Sequence, residues 1–193
     1  MTELGIGLFA AQRHADALSV QEADLATLRR IGATESSILD VQSNLANTYD
    51  KLGRSEEALQ MQRHAYSGRL RINGVENLVT LTAANNYAFS LVGKLQRYQE
   101  ARSLMRKTIP VARRVLGESH ETTLRMRSIY AQSLYYDEGA TLDDLREAVT
   151  TIEEIEPTAR RVFGGPHPLT EAIERDLRTA RAALRARETP PPR

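Results

Sequence analysis

One pattern recurs four times along this chain and restricts its fold more than any other feature. Ala46 returns as Ala88, 42 residues on, and as Ala131, 43 further, while Leu4–Gly5–x2–Leu8 stands 41 residues before Leu45–Ala46–x2–Tyr49. A second landmark, Ala58, has counterparts at Ala17, Ala101 and Ala148, and a third recurs as Gly32, Gly74, Gly117 and Gly164. The best preserved copy is Val41–Leu59. Its apolar or small residues Val41, Leu45, Ala46, Tyr49 and Leu52 follow the three- and four-residue spacing of a helix. Gly53 supplies a helix stop, Ser55 with Glu56 and Glu57 a new start, and Ala58 and Leu59 resume the stripe.

Each copy therefore reads as a pair of helices. The spacing predicts helices near 2–11 and 14–31, 35–52 and 55–72, 77–94 and 97–115, 121–138 and 142–162, and a ninth near 168–188. The corresponding units are about 1–33, 34–75, 76–118 and 119–165, with a capping helix at 167–188 and a disordered, proline-rich tail at 189–193. The DEGAT turn at Asp137–Thr141 absorbs the one longer interval. A lone helix pair cannot bury its apolar face, so the pairs are expected to stack as an all-α solenoid. Low aromatic content, no Trp and no sustained alternation of β-branched residues agree with helix.

Composition removes several function classes. With 26 Lys+Arg against 25 Asp+Glu, net charge is +1, so bulk charge selects neither nucleic acid nor an acidic membrane. The chain has no Cys, which excludes disulfides and thiolate chemistry. The start MTELGIGLFAAQ lacks a basic cluster, and no stretch reaches the ~20 apolar residues of a membrane span. A cytoplasmic protein with no membrane contact is expected. His14, His64, His120 and His167 form no HExxH motif, and no glycine-rich phosphate loop follows a strand, so neither catalysis nor a cofactor or metal is expected. His120 and His167, in GESH and GGPH, occupy equivalent turns and read as a repeated turn contact.

Leu4–Gly5–x2–Leu8 with Ala17, and Leu45–Ala46–x2–Tyr49–x3–Gly53 with Ala58 and Ala65, resemble tetratricopeptide repeats. The interval near 42, with NLANTYDKLGRSEEAL, NNYAFSLVGKLQRYQEA, VLGESHETTL and FGGPHPLTEA, is similar to the longer repeats of kinesin light chains. Ile129–Tyr130 and the DEGAT insertion depart from that pattern. The resemblance implies a right-handed solenoid of about four helix pairs whose first helices line a concave groove that takes a peptide or helix of a partner protein. Carried onto this chain, the groove residues are Asp40, Ser43, Asn44, Asn47 and Lys51, then Thr82, Asn85, Asn86 and Phe89, then Arg125, Ser128, Gln132 and Tyr136. Asn44 and Asn86 recur 42 residues apart, and an amide that both donates and accepts suits recognition of peptide backbone. The rival readings are a peptide-sensing regulatory module of a larger signalling protein and a structural oligomerisation segment.

Three further features carry expectations. Pro110 and Pro157 lie nine residues after Ala101 and Ala148, and a kink or break is expected at both. From Lys94 to Arg127 nine basic residues face three acidic ones, whereas Asp137–Glu156 holds eight acids and only Arg146. Pairing of the acidic eighth helix with the arginine-rich sixth and ninth is the expected outlet for that charge, ahead of an acidic cargo on Arg102–Arg114. Nucleic acid is not expected, because no aromatic residues interleave the arginines. Leu4, Ile6, Leu8 and Phe9 lack a polar capping neighbour, so this end is expected to meet a longer array or another copy of the chain.

Overall fold

The computed structural model describes residues 2–189, so the tail from Pro190 on lies outside the described residues. Every element among them is a helix: α1 (Thr2–Ala10), α2 (His14–Arg30), α3 (Glu35–Lys51), α4 (Ser55–Asn73), α5 (Leu78–Val92), α6 (Tyr98–Leu116), α7 (Glu121–Tyr135), α8 (Leu142–Phe163) and α9 (Pro168–Glu188). They divide into two compact units, the first running to Leu95 and the second starting at Gln96. Helix ends fall within three residues of those predicted from the sequence. The largest difference is at α7, which stops at Tyr135 because Asp137 turns the chain, its carboxylate accepting from the Gly139 N–H at 3.0 Å.

Two kinds of turn set the register. Within pairs, Gln12, Gly53 and Gln96 take left-handed φ of 60°, 82° and 53°. The arginine that follows each one, Arg13, Arg54 or Arg97, precedes the next helix and donates Nε–H to an acid three residues on, Asp16, Glu57 or Glu100, at 2.7, 2.7 and 2.6 Å. Between pairs, Gly74, Gly117 and Gly164 combine φ of 75°, 91° and 86° with ψ of 172°, 163° and 162°, a region that essentially only glycine occupies. Three residues later Asn77, His120 and His167 cap the next helix, each side chain accepting a backbone N–H two residues ahead at 2.8, 3.1 and 3.2 Å. The repeated histidines are thus helix caps.

In the first unit the core gathers Leu25, Val41, Leu45, Ala46, Tyr49 and Ala58. Burying a leucine such as Leu45 contributes about 1.5–3 kcal/mol. Close approach dictates the small residues: a Cβ on Gly68 of α4 would stand 2.7 Å from a Leu39 methyl of α3. In the second unit α7 packs against α6, α8 and α9. Met105, Leu124, Met126, Leu134, Ile152 and Ile173 form its fully buried centre. The repeat extends to polar contacts, since Thr80 donates to the Arg69 carbonyl at 3.1 Å and Thr123, 43 residues on, to that of Ala112 at 3.5 Å.

The prolines do not break their helices. α6 and α8 continue through Pro110 and Pro157, both exposed on their surface. Packing of the flanking turns outweighs the ~3 kcal/mol that an interior proline costs.

Candidate peptide groove

The apolar stripe of α3 turns Leu45, Ala46 and Tyr49 inward, which leaves Asp40, Ser43 and Asn44 on the face opposite α5. From α5 come Val79, Thr82, Ala83 and Asn86. With Ile6 of α1 and Arg69 of α4, these residues bound a cavity of about 370 Å³. A smaller cavity of about 60 Å³ adjoins it, where Asn44 and Asn47 meet Ile6, Phe9 and Gln21. Asn44 lines both. Leu4 and Ile6 are exposed on α1, and the half-buried Phe9 ring rests 5.1 Å from that of His14.

The remaining residues of the expected groove differ in how they are held. Asn47 accepts from Gln62 Nε2 of α4 at 3.2 Å, and Thr48 beside it donates to Gln21 at 2.7 Å. Asn85 is buried and turns its Nδ2 to the Asn86 Oδ1 at 3.3 Å, leaving its own buried carbonyl oxygen without a protein partner. Phe89 is exposed one turn further along α5, and Lys51 is exposed at the end of α3. Neither borders the cavity.

The groove floor holds a charge that the sequence pattern does not place there. Arg69 is buried, donates from Nη1 to Ser36 Oγ at 2.6 Å and from Nη2 to the Ser36 carbonyl at 2.9 Å, and pairs with the largely exposed Asp40. It occupies the register of Ala58, Gln62 and Ala65 on α4. A charged residue on that stripe is the signal that could have marked it.

In the second unit the α7 residues converge on one carboxylate. Ser128 Oγ and Gln132 Nε2 donate to Asp176 Oδ2 at 2.6 and 2.8 Å, and Tyr135 Oη donates to Oδ1 at 2.9 Å. Asp176 is buried and lies in the register of Leu169, Ile173 and Ala180 on α9. Burial, and then the Asp176 charge, push the Tyr135 phenol far above its ordinary value. Arg125 is exposed and pairs with Glu121 at 2.6 Å, while Tyr136 is exposed with its ring 4.4 Å from that of Tyr135. Among the described residues no group of three or more His, Asp or Glu side chains is placed to hold a metal ion, and no helix is long and apolar enough to cross a membrane.

Comparison with known proteins matches residues 38–77 and 80–122 to the tetratricopeptide repeat family model. No curated protein sequence matches the chain. Among solved structures, the kinesin light chain TPR-like repeats of Podosopora anserina superpose with a TM-score of 0.76 at 19% identity, over 97% of this chain and 86% of that one. BtubC (BKLC) from P. vanneervenii superposes with a TM-score of 0.69 at 17% identity, over 98% of this chain and 81% of that one. At these identities the likeness is one of fold. The described residues form an all-α array of helix pairs, residues 38–77 and 80–122 match the tetratricopeptide repeat model, and the fold resembles that of the kinesin light chain repeats.

Proposed function

We propose that this protein is a non-enzymatic interaction scaffold of the cytoplasm that captures a peptide or helix segment of a partner protein in the groove between α3 and α5. The observation that carries this reading is the cavity of about 370 Å³ in which Ser43, Asn44 and Asn86 present hydroxyl and amide groups beside Ile6 and Val79. Amides that donate and accept pair with a peptide backbone in either direction. The apolar side chains give one residue of the segment an anchor. Each neutral hydrogen bond adds about 0.5–1.5 kcal/mol net, so a few bonds with one anchor give roughly micromolar affinity.

Asn47 and Phe89 extend this surface along the two helices, the buried Asn85 holds the Asn86 amide, and Lys51 adds charge at the end of α3. Ser128 and Gln132 already donate to Asp176, so in this reading they hold α9 in place. A peptide-array screen repeated with Asn44→Ala and Asn86→Ala tests the assignment. Retention of all array signals by both variants would contradict it.

A further inference from the structure

The second unit carries another cleft, on a different face of α7 from the residues that bind Asp176. It holds about 390 Å³ between α6 and α8, with Tyr130 and Arg127 of α7 as its floor. At 100° per residue, Tyr130 stands about 200° around the helix from Ser128. This cleft therefore lies apart from the α7 face that meets Asp176.

The charge segregation seen in the sequence resolves here in an unexpected way. The acids of α8 are taken up by α7, by α9 and by α8 itself: Glu154 pairs with Arg127, Glu153 with Arg181 and Glu156 with Arg160. Glu147 accepts from the Tyr130 hydroxyl at 2.7 Å. Of the α6 cations, Arg102 pairs with Asp137 and Arg113 with Glu118. Arg106 has no carboxylate at ion-pair distance among the described residues. Its Nε donates to the Tyr130 hydroxyl at 3.0 Å and its guanidinium carbon lies 5.7 Å from the ring centre.

The chain Arg106–Tyr130–Glu147 consequently fixes one guanidinium at the wall of the cleft. A buried phenol holds it through a single nitrogen, which leaves both terminal nitrogens free of acceptors among the described residues. Glu147 and Glu154 also line the cleft but are engaged by Tyr130 and Arg127, so the Arg106 guanidinium is the group there with two parallel N–H donors to offer a carboxylate. Two neighbours suit a peptide rather than a bare anion. Ile109 and Pro110 offer an apolar ledge, and Pro110 has no N–H to give the Arg106 carbonyl, which leaves a backbone acceptor beside the guanidinium.

We infer that the α6–α8 cleft is a second docking site, taking an acidic peptide segment of a partner protein with Arg106 as its carboxylate anchor. This goes beyond the groove reading and does not depend on it.

The test is fluorescence anisotropy of a labelled deca-glutamate peptide titrated with the full chain at low and physiological salt. Wild type should bind, more tightly at low salt. Arg106→Gln should weaken binding about tenfold, the loss of one charge-assisted anchor. Arg106 is exposed, so this variant should retain the helical circular dichroism of wild type. Tyr130→Phe should weaken binding in the same direction by freeing the guanidinium. Arg175→Gln, an exposed arginine on α9 outside the cleft, should leave affinity unchanged, as should Asn44→Ala with Asn86→Ala in the groove. Absence of binding by wild type, an unchanged affinity in Arg106→Gln, or an equal loss in Arg175→Gln would overturn the proposal.

Discussion

Arg69 and Asp40 form an ion pair in which the arginine is buried and the aspartate side chain remains 63% exposed. The pair spans α4 and α3 at the floor of the groove, so the buried cation there is held from below by Ser36 and from the open side by a carboxylate. Replacing Asp40 with Asn removes only the exposed partner. Stability in urea is predicted to fall by about 1 kcal/mol, the scale of one hydrogen bond. Arg69→Ala, which also strips Ser36 of its partner and opens a void under the groove, is predicted to cost about 3 kcal/mol or more.

Asp176 gives the second unit a comparable centre, with three uncharged donors from α7. Asp176→Ala leaves the buried Ser128 and Tyr135 hydroxyls without their acceptor and is predicted to destabilise by about 2–4 kcal/mol in equilibrium denaturation. Ser128→Ala should cost about 1 kcal/mol. In the double variant the two losses should fall short of adding, because both report the same bond.

These two residues mark the boundary of what the sequence makes legible. Helix number, helix ends and the repeat register follow from local signals: apolar spacing, the Gly53 stop with the Ser55 start, and the recurring Gly32, Gly74, Gly117 and Gly164. They follow because each signal acts within a few residues of itself. Arg69 and Asp176 sit on apolar stripes where periodicity expects a hydrophobic residue, and only a partner from another helix explains a charge there. Ser128 and Gln132 lie on the helix face that selects groove residues elsewhere in the chain. What that face meets depends on Asp176, 44 residues beyond Gln132. The same holds for charge pairing, where α8 satisfies α7 and α9 and reaches α6 through the Tyr130 hydroxyl.

The turns within pairs offer a test of backbone strain. Gln96 holds φ of 53° where the equivalent Gly53 holds 82°. A left-handed non-glycine residue costs about 1–2 kcal/mol, and glycine gives back about 0.5–1 through its larger unfolded-state entropy. Gln96→Gly should therefore stabilise by about 0.5 kcal/mol. Gly74→Ala meets no steric neighbour, yet it forces alanine into glycine-only backbone and should destabilise by about 1–3 kcal/mol. Paired thermal and urea unfolding of the two variants should give opposite signs.

The start of α8 links stability to pH. Thr141 and Asp144 form a capping box, and the hydrogen bonds from Thr141 backbone and side chain hold the Asp144 carboxyl below its ordinary value. A carboxylate depressed in the folded state stabilises above its unfolded pKa, near ~4, and that contribution is lost as pH falls through the folded value. Thr141→Ala should cost about 1 kcal/mol at neutral pH. The difference from wild type should shrink as pH is lowered below about 4. A difference that stays constant or grows on acidification would contradict this role for the cap.

Whether Asn44 and Asn86 meet a partner segment is tested most directly by chemical-shift mapping. The 15N-labelled protein would be titrated with a peptide selected on the wild-type array. The side-chain NH₂ signals of Asn44 and Asn86 should shift first, with backbone shifts concentrated on α3 and α5. Shifts confined to α2, α4 or the α6–α8 cleft, with both amide pairs unmoved at saturation, would contradict the groove assignment.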